Sequence, residues 1–327
     1  MKTYIILLNW NGWKDTVECL ESVFLSTGVT YSVVVCDNDS QDGSITQLSN
    51  WAATRFTPDE WTQLSRIEAE NAALSMSGKR LILIQNGANL GFAGGNNTGV
   101  RLAMQDPNCA YVWLLNNDTV IAPDALSHAV SRMAADKHIG LCGSTLIYYH
   151  ERDKVQAYGG ANYSPLSGRS RHVGAFSHPS TVPTSPEAIE KSLSYIVGAA
   201  MLASRAFIEQ IGLMQEDYFL YFEEADWATR GKDKFRLGYA PLSLVYHKEG
   251  ASTGTSASGG SALSLYYLFR NRLRFTWRFH RRHLPSVILM SLWDVAKFSL
   301  KGRRVQALAA LRGMSGWTPP VARSRKT

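Results

Sequence analysis

Short apolar runs alternate with helix-like segments along the first half of the chain, and each run ends in a cluster of polar residues. The runs cover residues 3–8, 31–36, 80–85 and 110–115. Strands that are apolar along their whole length are buried on both faces, as in parallel β-α-β units covered by helices. The pattern therefore predicts an α/β fold, a sheet flanked by helices, over about the first 135 residues.

Helix and loop signals complete this prediction. One helix is predicted from Asp15, as its cap, to about Phe24, and a second starts at Ser44. A third ends near Met104, a fourth has Pro123 in its first turn, and a fifth starts near Ser204. Four other segments are predicted as a partly helical stretch at 51–78, a long loop at 164–186, one buried strand at 194–203 and a Gly/Ser linker at 250–262.

The polar clusters "NWNG", "DNDSQDGS", "NLGFAGGNN" and "NND" all follow predicted parallel strands. The carboxyl ends of such strands meet at one edge of the sheet, where ligands bind in folds of this class. The sequence therefore predicts one binding site built from all four clusters.

The cluster "DNDSQDGS" at 37–44 is compatible with several kinds of site. A calcium loop is disfavoured, because the fifth position is Gln41 and the twelfth is Leu48, where acids are required. A phosphatase with Asp37 as nucleophile is disfavoured too, since a suitable later lysine and acidic pair are missing. A turn that caps the next helix at Ser44 is expected in any case.

The glycine-rich stretch "NLGFAGGNN" lacks the spacing of a dinucleotide-binding fingerprint and follows the third strand, not the first. Its glycines suit either a tight turn or a backbone that approaches a ligand closely. The residues alone leave both interpretations open.

The cluster "NND" offers the oxygen ligands that a divalent cation prefers, although capping of the next helix is the alternative. Asp118 is its only carboxylate, so a further ligand has to come from elsewhere. His247 follows a strand-like run, and a lone histidine in such a position is more often structural than a ligand.

The segment "YFEEADWATR" places three acids among aromatic residues. At helical spacing Glu223 and Asp226 share a face, while Glu224 points about 100° away. Apolar surroundings raise the pKa of a carboxyl group, which suits a general base. An acidic first helical turn without catalytic role is the alternative.

Charge divides the chain into an acidic body and a basic tail. Residues 264–327 contain 14 Lys and Arg residues and one acid, Asp294, whereas residues 1–263 contain 20 Lys and Arg residues and 26 acids. A stripe of Arg270, Arg274, Arg278 and Arg281, with Leu265, Leu268, Phe275 and Phe279 opposite, predicts attachment to an anionic membrane surface. A helix packed on the body is the alternative. No nucleic-acid-binding module is recognised, so no nucleic-acid partner is expected.

The apolar segment at 284–300 is too short and too interrupted to span a bilayer. The N-terminus has no signal-peptide pattern, and the four cysteines form no CxxC pair. We therefore expect a cytoplasmic protein with buried thiols, peripheral on the inner face of the cell membrane.

Taken together, these segments resemble the family 2 glycosyltransferases, in particular the rhamnosyltransferase-like members. The resemblance runs from Tyr4 to about Arg274 and is carried by "ILLNWNG", "VVVCDNDSQDGS", "NLGFAGGNN", "WLLNND", "VGAAMLASRAFIEQIGLMQEDYFLYFEEADWATR" and "VYHKEGAS", then "YYLFRNRLRF". It implies a GT-A fold over residues 1–262, with a nucleotide-binding half at 1–135 and an acceptor-binding half at 136–262. Residues 263–327 would then be a basic, helical, membrane-associating tail.

The resemblance also implies roles for individual residues. It places Mg²⁺ or Mn²⁺ on Asp118 and His247. It puts Glu224 at the position of the catalytic base, where the family usually has aspartate, with Glu223 as the alternative. The implied nucleotide-sugar-binding residues are Asn9, Asp37, Asp39, Gly91, Gly94, Gly95, Asn96, Asn116 and Asn117.

The implied activity is an inverting, metal-dependent transfer of a sugar from a dTDP- or UDP-linked donor. We expect rhamnose from dTDP-rhamnose to be moved to a lipid-linked or growing cell-surface polysaccharide. The alternatives are a non-catalytic nucleotide-sugar-binding subunit of a membrane assembly and, less favoured, the phosphatase.

Overall fold

The computed structural model describes residues 1–71, 78–248 and 261–317, so most of the predicted linker at 250–262 lies outside the described residues. The strands are β1 (Lys2–Asn9), β2 (Tyr31–Asp37), β3 (Trp61–Ser65), β4 (Leu81–Gln85), β5 (Cys109–Asn116), β6 (Thr119–Ile121), β7 (Ile139–Tyr148), β8 (Val155–Tyr158), β9 (Gly160–Ser164), β10 (Arg169–His172), β11 (Tyr195–Ile196), β12 (Ala200–Ser204) and β13 (Arg236–His247). The helices are α1 (Trp13–Val23), α2 (Ser44–Arg55), α3 (Arg66–Asn71), α4 (Gly91–Gln105), α5 (Ala125–Ala135), α6 (Glu187–Ser192), α7 (Arg205–Ile211), α8 (Glu223–Gly231), α9 (Ala262–Phe279), α10 (Leu284–Leu300) and α11 (Arg304–Ser315).

The main sheet is mixed and has the strand order β3-β4-β2-β1-β5-β12-β7-β13-β6, with β8 paired to β7. The strands from β3 to β5 in this order are parallel, while β12 is antiparallel to both of its neighbours. A second, antiparallel sheet joins β10, β9 and β11. The predicted α/β fold with a mixed sheet is confirmed.

Helices cover both faces of the sheet, as the fully apolar strands require. Along β1, Ile5 and Leu7 pack with α1, α2 and α5 on one face, whereas Tyr4 and Ile6 pack with α3, α4, α7 and α8 on the other. All four cysteines are buried and unpaired, as predicted. The alternation of β1 therefore divides the core into two layers, one on each side of the sheet.

The register of the parallel strands brings their carboxyl ends together. Asn9 at the end of β1 lies beside Asp37 at the end of β2, and Leu8 lies beside Asn116 at the end of β5. Asp37 in turn lies beside Gln85 at the end of β4. The polar clusters therefore meet at one edge of the sheet, as the sequence predicts.

Three predicted segments differ in detail. Residues 51–78 contain β3, an edge strand, besides helical turns, and the predicted loop at 164–186 contributes β10 to the small sheet. The predicted strand at 194–203 is broken into β11 and β12 by a turn at 197–199. This turn lies at the end of β5, because the Asn116 N–H donates to the Ala199 carbonyl at 2.9 Å.

The two predicted helix caps are wrong, whereas the helix predicted to start near Ser204 is present as α7. Asp15 lies inside the first turn of α1, where it forms an ion pair with Lys248, and makes no cap hydrogen bond. Ser204 caps α7, since its Oγ accepts a hydrogen bond from Phe207 N–H at 3.1 Å. Ser44 begins α2 but is not its cap: it is the first helical residue, and Gly43 precedes it with a left-handed backbone.

The C-terminal helices pack on the body and on one another. A small apolar core contains Leu265 and Phe269 of α9, Val295 of α10, and Ala307 and Ala310 of α11. No helix in the described ranges is long and apolar enough to cross a membrane.

Three of the four stripe arginines, those in α9, face the body, which corrects the prediction that they face lipid. The fourth, Arg281, lies beyond the end of α9 and donates to the Trp277 carbonyl at 3.2 Å. Arg274 donates to the Asp217 carbonyl at 2.6 Å, and Arg278 donates to the buried carboxylate of Asp226 at 2.8 Å. Arg270 also reaches the Asp217 carbonyl, at 3.1 Å. The boundary at residue 262 stays a prediction, but residues 263–279 contact the body closely.

Candidate active site

A hydrogen-bonded network joins the ends of β1 and β2. Asp37 is only 1% exposed, and its carboxylate accepts hydrogen bonds from Asn9 Nδ2 at 2.6 Å, Ser40 Oγ at 2.7 Å and Ser40 N–H at 2.9 Å. Thr16 of α1 donates to Asn9 Oδ1 at 2.7 Å. Asp37 therefore stabilises the turn that follows β2 through its hydrogen bonds with Ser40. Contact of Asp37 with a nucleotide stays a prediction.

The turns after β1 and β2 contain two residues in the left-handed region of the backbone. Asn11 has φ 52° and Asp39 has φ 60°. The turns bind each other, because Asn11 N–H donates to Ser40 Oγ at 2.8 Å and Gln41 N–H donates to Asn11 Oδ1 at 2.7 Å. Left-handed residues other than glycine are enriched at functional sites, where their surroundings hold them in place. Asp39 is half-buried at this rim, and nucleotide-sugar binding by Asp39 stays a prediction.

The glycine-rich stretch is helical from Gly91 onwards and not the tight turn that its glycines also suited. Helix α4 begins at Gly91, and a Cβ built on Gly91 would lie 2.3 Å from the Phe219 carbonyl oxygen. A Cβ on Gly95 would lie 2.3 Å from Leu8 and 2.7 Å from Asn38, and one on Gly94 would lie 2.8 Å from Leu90. Packing within the protein therefore explains these glycines.

Asn96 is also buried in α4, where its Nδ2 donates to the Phe92 carbonyl at 2.9 Å. Like the three glycines, it lies inside the fold, and its contact with a nucleotide remains untested.

The side chains of "NND" point in different directions. Asn117 is buried towards α1, where its Nδ2 donates to Thr16 Oγ1 at 2.9 Å. Asn116 and Asp118 both approach His247 of β13, with Nε2 of the imidazole 3.4 Å from Asn116 Nδ2 and 3.2 Å from Asp118 Oδ1. The structure thus brings together the predicted metal ligands and separates Asn117 from them.

Gln156 of β8 orients His247 and was missed by sequence reasoning. Gln156 Oε1 lies 2.9 Å from His247 Nδ1 and is a hydrogen-bond acceptor, so Nδ1 carries the proton. The lone pair of Nε2 then faces a carboxylate oxygen of Asp118, and two such acceptors at 3.2 Å require a proton or a cation between them. A second residue that holds the far nitrogen of a histidine is usual at metal sites. Burial alone would raise the pKa of Asp118, but hydrogen bonding to His247, the charges of His247 and Lys248 and a backbone hydrogen bond together outweigh burial and lower that pKa.

The donor set fits a divalent cation that is also bound by its substrate. No group of three or more His, Cys, Asp or Glu side chains that could hold a metal occurs in the part of the chain that the structure describes. Asp118 and His247 would supply two ligands, and diphosphate oxygens and water would supply the others. Such a site binds the cation weakly until the diphosphate is present.

Lys248 ties this site to α1. Its Nζ contacts Asp15 Oδ1 at 2.5 Å and Glu18 Oε2 at 2.6 Å, and its backbone N–H donates to the Asp118 carbonyl at 3.0 Å. Because Lys248 directly follows His247 in the chain, this backbone hydrogen bond keeps His247 at a fixed distance from Asp118.

Burial distinguishes the two candidate bases at the start of α8. Glu223 is 2% exposed, and its Oε2 has no hydrogen-bond partner among the described residues. Burial and the neighbouring Glu224 raise the pKa of Glu223 well above that of a free glutamate. Glu224 is half-buried, and its carboxylate is hydrogen-bonded to the Gly198 backbone. Burial raises the pKa of Glu224 as well, so both carboxyls hold protons more tightly than a free glutamate does.

Gly198 places Glu224 next to the end of β5. A Cβ on Gly198 would lie 2.5 Å from Glu224 Oε1, so a side chain there would displace the carboxylate. The next residue, Ala199, accepts the hydrogen bond from Asn116. The turn at 197–199 thus contacts the candidate base through Gly198 and, through Ala199, the end of β5 that leads to Asp118.

The loop before α8, residues 217–222, is hereafter the base loop, and its backbone is strained. Phe219, Tyr221 and Phe222 have φ values of 65°, 68° and 77°. Asn271 of α9 is fully buried, and its Nδ2 donates to the carbonyls of Tyr218, Leu220 and Tyr221 at 2.7–3.1 Å. A helix from the predicted tail therefore holds the loop that presents Glu224.

Comparison with known proteins shows the relationship of the chain. Residues 4–183 match the model of the family described as "Glycosyl transferase family 2". The archaeal "Low-salt glycan biosynthesis hexosyltransferase Agl10" of Haloferax volcanii is 23% identical over 251 residues, which are 72% of this chain and 76% of the relative. The "N-acetylglucosaminyl-diphospho-decaprenol L-rhamnosyltransferase" of Mycobacterium tuberculosis is 27% identical over 296 residues, 84% of this chain and 86% of the relative.

The fold is shared with a solved mannosyltransferase from Pyrobaculum calidifontis, whose structure contains GDP-Man and Mn²⁺. The two chains superpose with a TM-score of 0.54 at 15% identity, over 97% of this chain and 76% of the mannosyltransferase. At this identity the likeness concerns the fold alone.

Proposed function

Because the chain belongs to glycosyl transferase family 2, has a GT-A fold and is a hexosyltransferase, we propose that it transfers rhamnose from dTDP-rhamnose to a lipid-linked or growing cell-surface polysaccharide. The mycobacterial relative supports the sugar and the kind of acceptor, since its name specifies both a rhamnosyl transfer and a polyprenyl diphosphate. The observation that carries the proposal is that the turn at 197–199 contacts Glu224 through Gly198 and, through Ala199, the end of β5 that leads to the Asp118–His247 pair.

Glu224 is the proposed general base. Its carboxylate takes the proton from the acceptor hydroxyl as that oxygen attacks the anomeric carbon. The bond from the anomeric carbon to the nucleoside diphosphate breaks at the same time, on the opposite face of the sugar. The attack therefore inverts the configuration and needs no covalent sugar–enzyme intermediate.

Glu223 has a supporting role in this proposal. Its buried carboxyl holds its proton to a higher pH than a free glutamate does, because a second negative charge beside Glu224 in an apolar setting is unfavourable. The pair thus keeps one neutral and one ionisable carboxyl, the arrangement by which adjacent acids take different parts in a reaction.

Asp118 and His247 are the proposed ligands of Mg²⁺ or Mn²⁺, and the imidazole favours a transition metal. When bound, the cation would neutralise the charge that develops on the leaving diphosphate. Asn116, beside His247, would contact the nucleotide sugar, and the rim at Asn9, Asp37 and Asp39 would shape the pocket for the nucleoside.

Purified full-length protein would be incubated with a panel of dTDP-, UDP- and GDP-sugars, Mg²⁺ or Mn²⁺, and a polyprenyl diphosphate-linked N-acetylglucosamine. We expect release of dTDP from dTDP-rhamnose that depends on metal and on acceptor, and that is lost in H247A. A separate thermal-shift series with dTDP, with and without Mn²⁺, would detect binding without turnover. No turnover of any donor would contradict the proposal.

The alternatives lead to other results. A non-catalytic nucleotide-sugar-binding subunit would show the thermal shift but no transfer. The phosphatase alternative requires a free Asp37 carboxylate, whereas its oxygens accept hydrogen bonds from Asn9 and Ser40.

A further inference from the structure

We propose that α10 and α11 form a surface that lies flat on an anionic membrane, and that the arginines of α9 take no part in it. The inference deepens the proposed function, because an acceptor linked to a lipid has to be met at a bilayer. It replaces the arginine stripe of α9, which is bound to the body, with a different set of side chains.

Exposed apolar side chains are concentrated in this part of the molecule. Nine of the fifteen large apolar side chains that are exposed in the described ranges lie between residues 277 and 317. They are Trp277, Leu289, Leu292, Trp293, Leu300, Val305, Leu308, Leu311 and Trp317. Exposed apolar side chains clustered in this way mark contact sites for proteins or membranes.

The exposed side chains form stripes along both helices. In α10, Leu289, Leu292, Trp293 and Leu300 recur at spacings of three, one and seven residues, which place them on one face. Val287, Ser291 and Val295 occupy the opposite face and are buried. The helix is therefore apolar on its outer face and also packed on its inner face.

Helix α11 repeats the arrangement. Val305, Leu308 and Leu311 are exposed, whereas Ala307, Ala310 and Gly313 face the other helices. A Cβ on Gly313 would lie 2.3 Å from the Tyr266 carbonyl oxygen, so α11 approaches α9 closely. We call the exposed stripes of α10 and α11 together the tail face.

The charges around the tail face are all positive. Seven cations, Arg281, Arg282, Lys297, Lys301, Arg303, Arg304 and Arg312, have no carboxylate within ion-pair distance among the residues that the structure describes. The single acid of this region, Asp294, is paired with Arg169 and Arg272. Cations near an anionic bilayer favour binding to it, and aromatic residues such as Trp293 favour the membrane–water interface.

An anionic membrane fits this surface better than a second copy of the chain does. Two tail faces docked on each other would bring like charges together, which is unfavourable at an interface. A helix with an apolar face and cationic flanks instead lies in the plane of the membrane. The absence of a spanning helix from the described residues agrees with in-plane binding.

The tail face adjoins the part of the molecule that leads to Glu224. Ser286 of α10 donates to the Leu166 carbonyl at 2.8 Å, in the turn between β9 and β10. Tyr163 of β9 packs edge-on against Phe222, which directly precedes α8. A lipid-linked acceptor could thus keep its lipid in the membrane while its sugar reaches the base.

The test uses sedimentation of full-length protein with vesicles of phosphatidylcholine alone or with about a third phosphatidylglycerol. We expect wild type to bind the anionic vesicles, less so at high salt. The double variant L292E/W293E should bind at least about tenfold more weakly, because two apolar contacts are replaced by negative charges. The control I67E replaces a still more exposed apolar residue, which lies in α3, and should bind as wild type does.

A second double variant, K297Q/K301Q, should lose the preference for anionic vesicles without a change in thermal midpoint. Undiminished vesicle binding by L292E/W293E would overturn the inference. So would a wild-type dimer that L292E/W293E converts to a monomer while vesicle binding persists, since the tail face would then bind a second copy. Vesicle binding requires no nucleotide sugar, so failure of the proposed function would be seen separately, as absent transfer in wild type.

Discussion

Glu223 and Glu224 are neighbours in sequence, yet the fold gives them different surroundings. Glu223 turns inward, where one carboxyl oxygen has no hydrogen-bond partner among the described residues, and Glu224 turns to the turn at 197–199. Consecutive side chains of a helix point about 100° apart, so these two glutamates face different surroundings, one towards the core and one towards the cleft. At the scale of single residues, burial is therefore what assigns the base.

The two glutamates should respond differently to removal of charge. We expect E224Q to lower transfer by about 10²–10⁴-fold, the usual contribution of a general base, while dTDP binding with Mn²⁺ persists in calorimetry. The matched variant E223Q should keep most of the activity, because a protonated carboxyl and an amide are both neutral. Equal losses in the two variants, or a larger loss in E223Q, would assign the base to Glu223.

The raised pKa of Glu223 also predicts how stability depends on pH. The folded state holds a proton that the unfolded state releases above the usual glutamate pKa of about 4.5, so stability falls as pH rises from that value towards the folded pKa. E223Q removes this dependence and should be more stable than wild type at pH 8, with little difference at pH 4. Thermal midpoints measured across that range would check this, and parallel profiles would refute it.

At the scale of elements, continuous apolar runs allowed strands β1, β2, β4 and β5 to be predicted with errors of one residue or so at either end. Edge strand β3, "WTQLS", was missed because one side of an edge strand is solvated and its sequence is mostly polar. The break between β11 and β12 was missed since Gly198 sits in an unbroken apolar run. Helix α4 begins at Gly91 because Phe219 leaves no room there for a side chain, and Leu8 and Asn38 restrict Gly95 in the same way. Local sequence does not reveal these close contacts.

The candidate site was predictable where it depended on strand ends and not where it depended on distant partners. The pair of Asp118 and His247 followed from the family resemblance. Gln156 lies 91 residues from His247, and Asn271 lies about 50 residues from the base loop, so neither leaves a local signal. Such partners arise only when the sheet and α9 are assembled.

Asn271 provides a test of how elements support the base. N271A leaves three carbonyls of the base loop without their donor in the core, and we expect a loss of about 2–3 kcal/mol in unfolding free energy. Transfer should fall more than about tenfold through kcat, with KM for the donor little changed, because Glu224 loses its position. The control N162A removes an exposed asparagine that donates to the Ser192 carbonyl, and it should affect neither quantity. Unaltered kcat in N271A would mean that α9 only packs.

At the scale of the whole molecule, the charge asymmetry of the sequence predicts that the basic tail makes charged contacts. It does not predict which of the tail's cations face the body and which face outward. The excess of cations in the last part of the chain is real, yet Arg270, Arg274 and Arg278 neutralise the acidic body at Asp217 and Asp226. The tail cations that have no ion pair among the described residues lie on α10, α11 and the turns beside them. A sequence cannot separate these two groups, since both consist of arginine and lysine at helical spacing.

Asp294 connects α10 to the rest of the molecule. Its carboxylate contacts Arg169 of β10 at 2.5 Å and the buried Arg272 of α9 at 3.2 Å. We expect D294N to destabilise the protein by about 2–4 kcal/mol in urea unfolding, because Arg272 keeps a buried charge without its partner. The variant R272M/D294L, which removes both charges, should recover most of the loss. If D294N unfolds as wild type does, α10 is held by its apolar contacts alone.

The position of Asn271 has a consequence for the order of events on the ribosome. The strands, the metal ligands and both glutamates are synthesised before α9, and domains assemble from the N-terminus as the chain emerges. The base loop, however, receives three of its hydrogen bonds from residue 271. A nascent chain that has completed its sheet therefore still lacks these three hydrogen bonds, and we expect transfer activity to begin only when the helix that also leads to the tail face has left the exit tunnel.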